Sequence, residues 1–370
     1  MTIMNDYRLR NHIPIAGSGN REPYTGNENP FRVSLGFTPK WFRDRLGIDF
    51  SEKWHQDPVY RYETLVTMKL YLSQIFPSIE NFRPHEEEGI DYDCASINSI
   101  YGALIISAVY GQKIRYFKDN WPALNSGSYY TKEDFLKIPP FDPETNPAFR
   151  ALAAQMDFIA AKWGKITGYM GYYQGVLNNA MRLRGNDIFL DLIDDPDFAK
   201  QLLNNIFQTT LALVKLVQQR QRISGFPIDQ FSCSNCVINM VSPSMYEEFV
   251  LPFDMKFAAE FLRFGIHTCN WNASPYLESI RKIKKIGYLD MGMDTNMAKA
   301  KELFPDARRA ILYSPVKIEK LSINDIRNDF LKIREELGPC DIVLADIEST
   351  VPNEKVQAVV VIADSIADHG

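Results

Sequence analysis

Residues 266–291, IHTCNWNASPYLESIRKIKKIGYLDM, decide the reading of the fold. An apolar strand, Ile266 to Cys269, runs into a helix from Ser274 to Ile283, and a second apolar strand follows at Gly287 to Met291. Strand, helix and strand in so short a span make a parallel βαβ unit. The rhythm continues downstream with helix Met297 to Phe304, strand Ala310 to Tyr313, helix Ile323 to Leu337, strand Asp341 to Ile347 and helix Asn353 to Ala367. Upstream lie helix Pro147 to Trp163, strand Ile166 to Met170, a long helix from Asp195 to Ser224 and strand Pro227 to Cys233. Ser242-Pro243 opens the next helix with a capping hydroxyl and a first-turn proline, and Gly265 suits its end. Nearer the start, Arg32 to Phe37 reads as a strand and Pro58 to Phe76 as a helix, with a short helix near Ile97 to Tyr110 and a strand near Ile114 to Phe117. Seven or eight such units fit a closed ring better than an open sheet. The expectation is an α/β (β/α)8 TIM-type barrel over residues 31–370, preceded by an irregular arm over residues 1–30.

The 370 residues are 45% hydrophobic and 24% charged, with a net charge of −5, which suits a globular chain. No Lys/Arg block is present, so a nucleic-acid footprint is not expected. The apolar runs Ile100 to Val109 and Val356 to Ala363 fall far short of the ~20 residues of a membrane span. The polar stretch Met1 to Asn20 has no apolar centre, and the expected location is the cytoplasm. Five scattered cysteines, Cys94, Cys233, Cys236, Cys269 and Cys340, argue for thiols in a reducing compartment and against a disulfide framework. A homodimer is the base-rate expectation for oligomeric state.

Catalytic groups of a barrel gather at the C-terminal strand ends. His267-Thr268-Cys269 stands at such an end. Residues i and i+2 of a strand face one way, so an imidazole and a thiolate can converge on one point, and zinc favours both. The alternative is a packed cysteine beside a hydrogen-bonded histidine. A catalytic zinc needs a third protein ligand. Cys340 precedes the strand Asp341 to Ile347 and so belongs at the barrel bottom, roughly 20 Å away at ~3.3 Å per residue. Cys233 and Cys236 top a neighbouring strand, as a redox pair, half a metal site or buried small residues. Asp346 and Glu348 top the last strand and can bind metal or a polar substrate. Asp229 and Asp290 are acids set in apolar strands, suited to a general base, to orienting His267 or to a backbone bond. The run Gly168-Tyr169-Met170-Gly171-Tyr172-Tyr173 offers Tyr169, Tyr172 and Tyr173 as a pocket lining or as aromatic core. The His55 segment reads as a surface loop. Trp41, Phe42 and Trp54 are expected to cover the pocket.

Four stretches resemble the uroporphyrinogen decarboxylase superfamily. Asp229 leads into Val241-Ser242-Pro243 and a helix reaching Pro252. His267-Thr268-Cys269-Asn270 is similar to the H-x-C-G of its zinc-dependent, corrinoid-linked methyltransferases. Tyr288-Leu289-Asp290 and Val351-Pro352-Asn353-Glu354 match the following strand and final helix. Upstream, Ala108-Val109-Tyr110-Gly111 looks like the family's A-x-G turn. The resemblance implies a barrel with its pocket at the strand C-termini. The decarboxylase's R-Q-A-G-R signature is missing, as is an acid at Gly102, so a tetrapyrrole carboxylate substrate lacks its partners. The methyltransferases' later cysteine should fall near Ala345 and does not.

What the resemblance implies is a zinc methyltransferase that exchanges a methyl group between a small thiol or methyl donor and methylcobalamin carried on a separate corrinoid protein. His267 and Cys269, with Asp346, form its expected metal site. Asp229, Asp290 and Glu348 are its candidate catalytic acids. Tyr169, Tyr172, Tyr173, Asn270 and Trp271 are its candidate substrate contacts. A decarboxylase or lyase, or a non-catalytic binding barrel, are the alternatives, and the missing cysteine speaks for the last.

Overall fold

The computed structural model describes residues 30–79, 82–84, 86–125, 127–168 and 173–368. Most of the N-terminal arm, with Tyr169 and Tyr172, lies outside them. Six parallel strands form one hydrogen-bonded sheet: β1 (Phe31–Phe37), β2 (Gln230–Ser234), β3 (Arg263–His267), β4 (Ile286–Met291), β5 (Arg308–Tyr313) and β6 (Cys340–Ile347). Their spatial order is β1-β6-β5-β4-β3-β2. The first strand therefore lies beside the last, as in a sheet that curls into a barrel. Between β1 and β2 in sequence, a parallel bridge joins Ser96 to Thr167. That gives eight extended segments in an α/β fold of TIM-barrel type.

Proline-led helix starts recur around this sheet. Helices that matter below are α1 (Pro39–Leu46), α2 (Pro58–Ile75), α3 (Pro147–Trp163), α4 (Val176–Arg184), α5 (Pro196–Ile223), α6 (Leu251–Glu260), α7 (Met297–Leu303), α8 (Ile323–Leu337) and α9 (Asn353–Asp368), with shorter ones between them. Four begin with a capping side chain followed by proline: Thr38, Asp57, Asn146 and Asp195 each accept a hydrogen bond from an amide of the first turn. Ser242 does the same for the one-turn helix Pro243–Met245, accepting from the Met245 amide at 3.2 Å. A π-turn, Tyr246–Val250, carries that helix into α6.

Several expectations need correction. Gly265 does not end a helix. It lies inside β3, where a Cβ would come within 3.0 Å of Ser232 Oγ and 3.2 Å of Tyr288 Cβ, so its bareness lets three strands close up. Residues 97–104 do not form a helix. Ser99, Tyr101 and Gly102 take left-handed φ angles, and helix resumes only at Ile105–Val109. The strand expected near Ile114 to Phe117 shrinks to Ile114–Arg115 in a small antiparallel ribbon. Trp41, Phe42 and Trp54 do not cover a pocket. They are fully buried, with the Phe37 and Trp41 rings 4.2 Å apart and those of Phe50 and Trp54 5.5 Å apart. His55 is buried too, against the Tyr116 ring at 4.9 Å, and burial lowers its pKa to about 3, so it stays neutral.

The N-terminal ends of the strands are tied by charge. Asp341 is fully buried at the start of β6 and accepts from Arg32 of β1 at 2.8 and 2.9 Å and from Arg308 Nε of β5 at 2.9 Å. Replacing one partner of such a buried network costs about 3–5 kcal/mol, because the opposite charge stays in a low dielectric. Asp341→Ala is expected to lower unfolding free energy by about that amount in denaturant titration. An unchanged midpoint would show that the cluster contributes nothing to the barrel floor.

Candidate metal centre

Strand pairing sets the site. His267 of β3 lies in register with Ser234 of β2 on one side and Asp290 of β4 on the other. The chain leaves β3 through Cys269, whose φ is +70°, a left-handed angle that a cysteine rarely takes. That turn brings the Cys269 thiol back toward His267. From β2, Cys236 arrives at the same point. One donor atom from each of Cys236, His267 and Cys269 lies within 4.8 Å of the others. Among the described residues, this is the group of His, Cys and acidic side chains able to hold a metal ion.

Hydrogen bonds fix each member. Asp290, fully buried, accepts from His267 Nδ1 at 2.8 Å, from the Thr268 amide at 2.9 Å and from the Tyr288 hydroxyl at 3.1 Å. With Nδ1 engaged, Nε2 is the nitrogen left for a ligand. The Asn235 amide donates to the His267 carbonyl at 2.8 Å. The Trp271 indole donates to the Cys236 carbonyl at 3.0 Å, and the Val237 amide donates to Asn178 of α4 at 3.2 Å. The Gly292 amide closes the chain of contacts on the Trp271 carbonyl at 3.0 Å.

Electrostatics follow from that packing. Burial works to lower the His267 pKa, but the Asp290 carboxylate and the Cys269 sulfur outweigh it and hold it near 10. The Cys269 thiol donates to Cys236, which lowers the pKa of Cys236 and raises that of Cys269. Without a metal the trio thus carries protons that a metal must displace. Two sulfurs and one imidazole are a donor set that suits zinc, and three protein ligands leave a position open.

The structure distributes the other expected residues differently. Asp346 does not join the trio. β6 and β3 are separated by β5 and β4, so it stands on another wall of the mouth, at a φ of +53°. Its side chain is exposed at the mouth; partial loss of water raises its pKa, against a hydrogen bond from Trp121 and the charge of His267. Glu348 is exposed just past β6. Asp229 precedes β2 at the opposite end of the barrel, roughly 16 Å below His267 at ~3.3 Å per residue. There it accepts from the Leu262 amide at 2.9 Å, a structural bond that rules out contact with the site. Tyr173 is not a substrate contact. Its ring is buried and stacked on Phe231 at 6.1 Å, and burial pushes its pKa far up. Asn270 is exposed in the loop after β3, and Trp271 bridges loops. Cys233 and Cys236 do not act as a pair. Cys233 is buried toward Asp254, which also accepts from Tyr246 and Asn235 at 2.8 Å each and whose pKa burial pushes up to about 6. Cys340 is buried at the start of β6, as its position before the strand implied.

Cys236 is the donor the sequence reading undervalued. The signal was its place three residues after Cys233, just past the end of a strand adjacent to that of His267. Arg182, Asn178 and Trp121 were missed altogether, because nothing in a helix or loop pattern points them at a strand end.

Comparisons with known proteins bear on this geometry. The family model described as uroporphyrinogen decarboxylase (URO-D) matches residues 84–317, more than half of the chain. Among solved structures, a methyltransferase from Methanosarcina mazei superposes with a TM-score of 0.65 at 16% identity, covering 92% of this chain and 94% of that one. At that identity the likeness shows the fold. No curated protein matches by sequence. Among the described residues, no helix is long and apolar enough to cross a membrane.

The loop contacts can be tested at Gly292. A Cβ there would stand 2.2 Å from the Asn270 carbonyl oxygen. Gly292→Ala is expected to cost about 1–3 kcal/mol by overpacking, read as a lower unfolding midpoint. A wild-type midpoint would show that these loops yield freely.

Proposed function

The chain belongs to the uroporphyrinogen decarboxylase family, and from that premise we propose that it is a zinc-dependent methyltransferase exchanging a methyl group between a small thiol and a corrinoid carried on a separate protein. The observation that carries this reading is the convergence of Cys236, His267 and Cys269. It supplies the third donor whose absence spoke for a non-catalytic barrel.

Zinc at such a site lowers the pKa of a thiol and favours its thiolate at neutral pH. The residues of the chain do the rest. Asp290 holds the Nδ1 proton of His267 and so turns Nε2 toward the two sulfurs. Trp271 and Asn178 hold the Cys236 loop in place. The thiol proton leaves to water at the mouth, which Asp346 and Glu348 flank. The thiolate sulfur would be the nucleophile toward the corrinoid-borne methyl group: a carbon–sulfur bond would form as the bond holding the methyl group breaks, and the electron pair of that bond would stay with the corrinoid. The reading takes the corrinoid to be carried on a docking partner.

Protein purified without chelators is expected to hold one zinc per chain, and His267→Ala or Cys236→Ser to lose it, by emission spectroscopy. Methylcobalamin mixed with the zinc protein and a thiol is expected to show the absorbance change of demethylation. Zinc-free wild type with no demethylation for any thiol would sink the reading.

Two further outcomes follow from the hydrogen bonds and the protonation of the trio. Asp290→Asn is expected to weaken zinc binding about 10–100-fold in chelator competition, with the fold retained. Unaltered affinity would remove Asp290 from the metal's support. Zinc binding at pH 7 is expected to release about two to three protons, from His267 and the two thiols, and to weaken as pH falls. Calorimetry in buffers of different ionisation enthalpy measures that count, and a value near zero would place the metal elsewhere.

A further inference from the structure

Asp254 is a buried acid that the metal centre does not touch. It lies on α6 with no exposure to water, and among the described residues no lysine, arginine or histidine pairs with it. Three neutral donors share its oxygens instead. The Asn235 side-chain amide and the Tyr246 hydroxyl each donate at 2.8 Å, and the Cys233 thiol donates as well. A carboxylate without a cation is a poor stability device, because apolar side chains often replace buried charges at no cost. What an ionised carboxylate does supply is acceptance of all three bonds with no donor of its own.

Those bonds hold the end of β2. Asn235 is the first residue past that strand, and the next residue is Cys236. The Asn235 backbone amide donates to the His267 carbonyl at 2.8 Å while its side chain reaches Asp254. One residue thus ties the Cys236 loop to the strand of His267, and Asp254 fixes which way that residue's side chain points. The space is tight. Gly175, at the head of α4, has no Cβ, and one there would stand 2.0 Å from Asn235 Oδ1. The Gly175 amide donates to the Ser234 carbonyl at 2.9 Å, which closes the loop against α4. Tyr246 opens the π-turn before α6, a geometry frequent at functional sites. Burial, and then the Asp254 charge, raise the Cys233 pKa, so Cys233 keeps its proton and Cys236 is the neighbour left to act as a ligand.

We infer that Asp254 is a positioning residue that acts through Asn235 to place Cys236 beside His267 and Cys269. The inference rests on the metal reading above for what Cys236 then binds, and on the hydrogen bonds alone for how Cys236 is placed.

The test compares Asp254→Leu and Asn235→Ala by chelator competition for zinc and by hydrogen exchange of the zinc-free proteins. Asp254→Leu is expected to keep or raise the unfolding midpoint. Zinc is nevertheless expected to bind it about 10–100-fold more weakly. Its amide at position 235 is expected to exchange about tenfold faster, while amides inside β2 and β3 keep their protection. Asn235→Ala is expected to match both changes, and the double variant to add nothing to either. Asp254→Asn keeps an acceptor for Asn235 and is expected to fall between wild type and Asp254→Leu. Wild-type affinity and exchange in Asp254→Leu overturn the inference. So do additive losses in the double variant, which would show the two residues acting separately. Where Asp254→Leu fails to fold, Asn235→Ala decides, and wild-type protection at position 235 overturns the inference. Faster exchange in a protein that takes up no zinc upholds the positioning and sinks the metal reading. Zinc-binding wild type with unaffected variants does the reverse.

Discussion

A single buried carboxylate organises the upper end of this barrel. Asp290 has no exposure to water, and three donors share its oxygens: the His267 ring, the Thr268 amide and the Tyr288 hydroxyl. Each comes from the strand pair β3–β4, so the bond network both registers the strands and aims the imidazole. A charge this deep is tolerable only when fully hydrogen-bonded. Once it is, the histidine has one nitrogen committed and one available. The convergence with Cys236 and Cys269 is built on that division of labour.

Much of the fold was legible because buried parallel strands leave plain apolar runs between amphipathic helices. All six sheet strands fall within three residues of their expected starts. That small slip still mattered for Asp229. Reading the strand from Pro227 put this acid inside a strand, whereas the strand begins at Gln230 and the acid sits beneath it. Residues 97–110 failed for another reason. Their apolar spacing suits a helix, but Ser99, Tyr101 and Gly102 take left-handed φ angles that no pattern announces.

The site was half legible. His267 and Cys269 share a two-residue spacing that a strand converts directly into a shared direction. Cys236 comes from a different strand, and only the fold shows which of two neighbouring cysteines turns to the site. Cys233 went to the core and Cys236 to the mouth because the strand ends between them. The acids at the top of the last strand were the other candidates for the third donor. Strand-top position puts Asp346 and Glu348 at the same end of the barrel as His267, but neither joins the cluster of Cys236, His267 and Cys269.

Cys269 holds a left-handed backbone angle that glycine would adopt without strain. At that position the demands of folding and of chemistry are opposed. Relaxing the turn removes the sulfur, and keeping the sulfur holds the turn under tension. The tension has a direction, since the residue can reach His267 only while bent backward. A ligand that grips the sulfur therefore does mechanical as well as chemical service, clamping a loop that would otherwise tend to spring open. On the proposed reading, metal retention and loop order at the barrel mouth become one property, and losing either loosens the other.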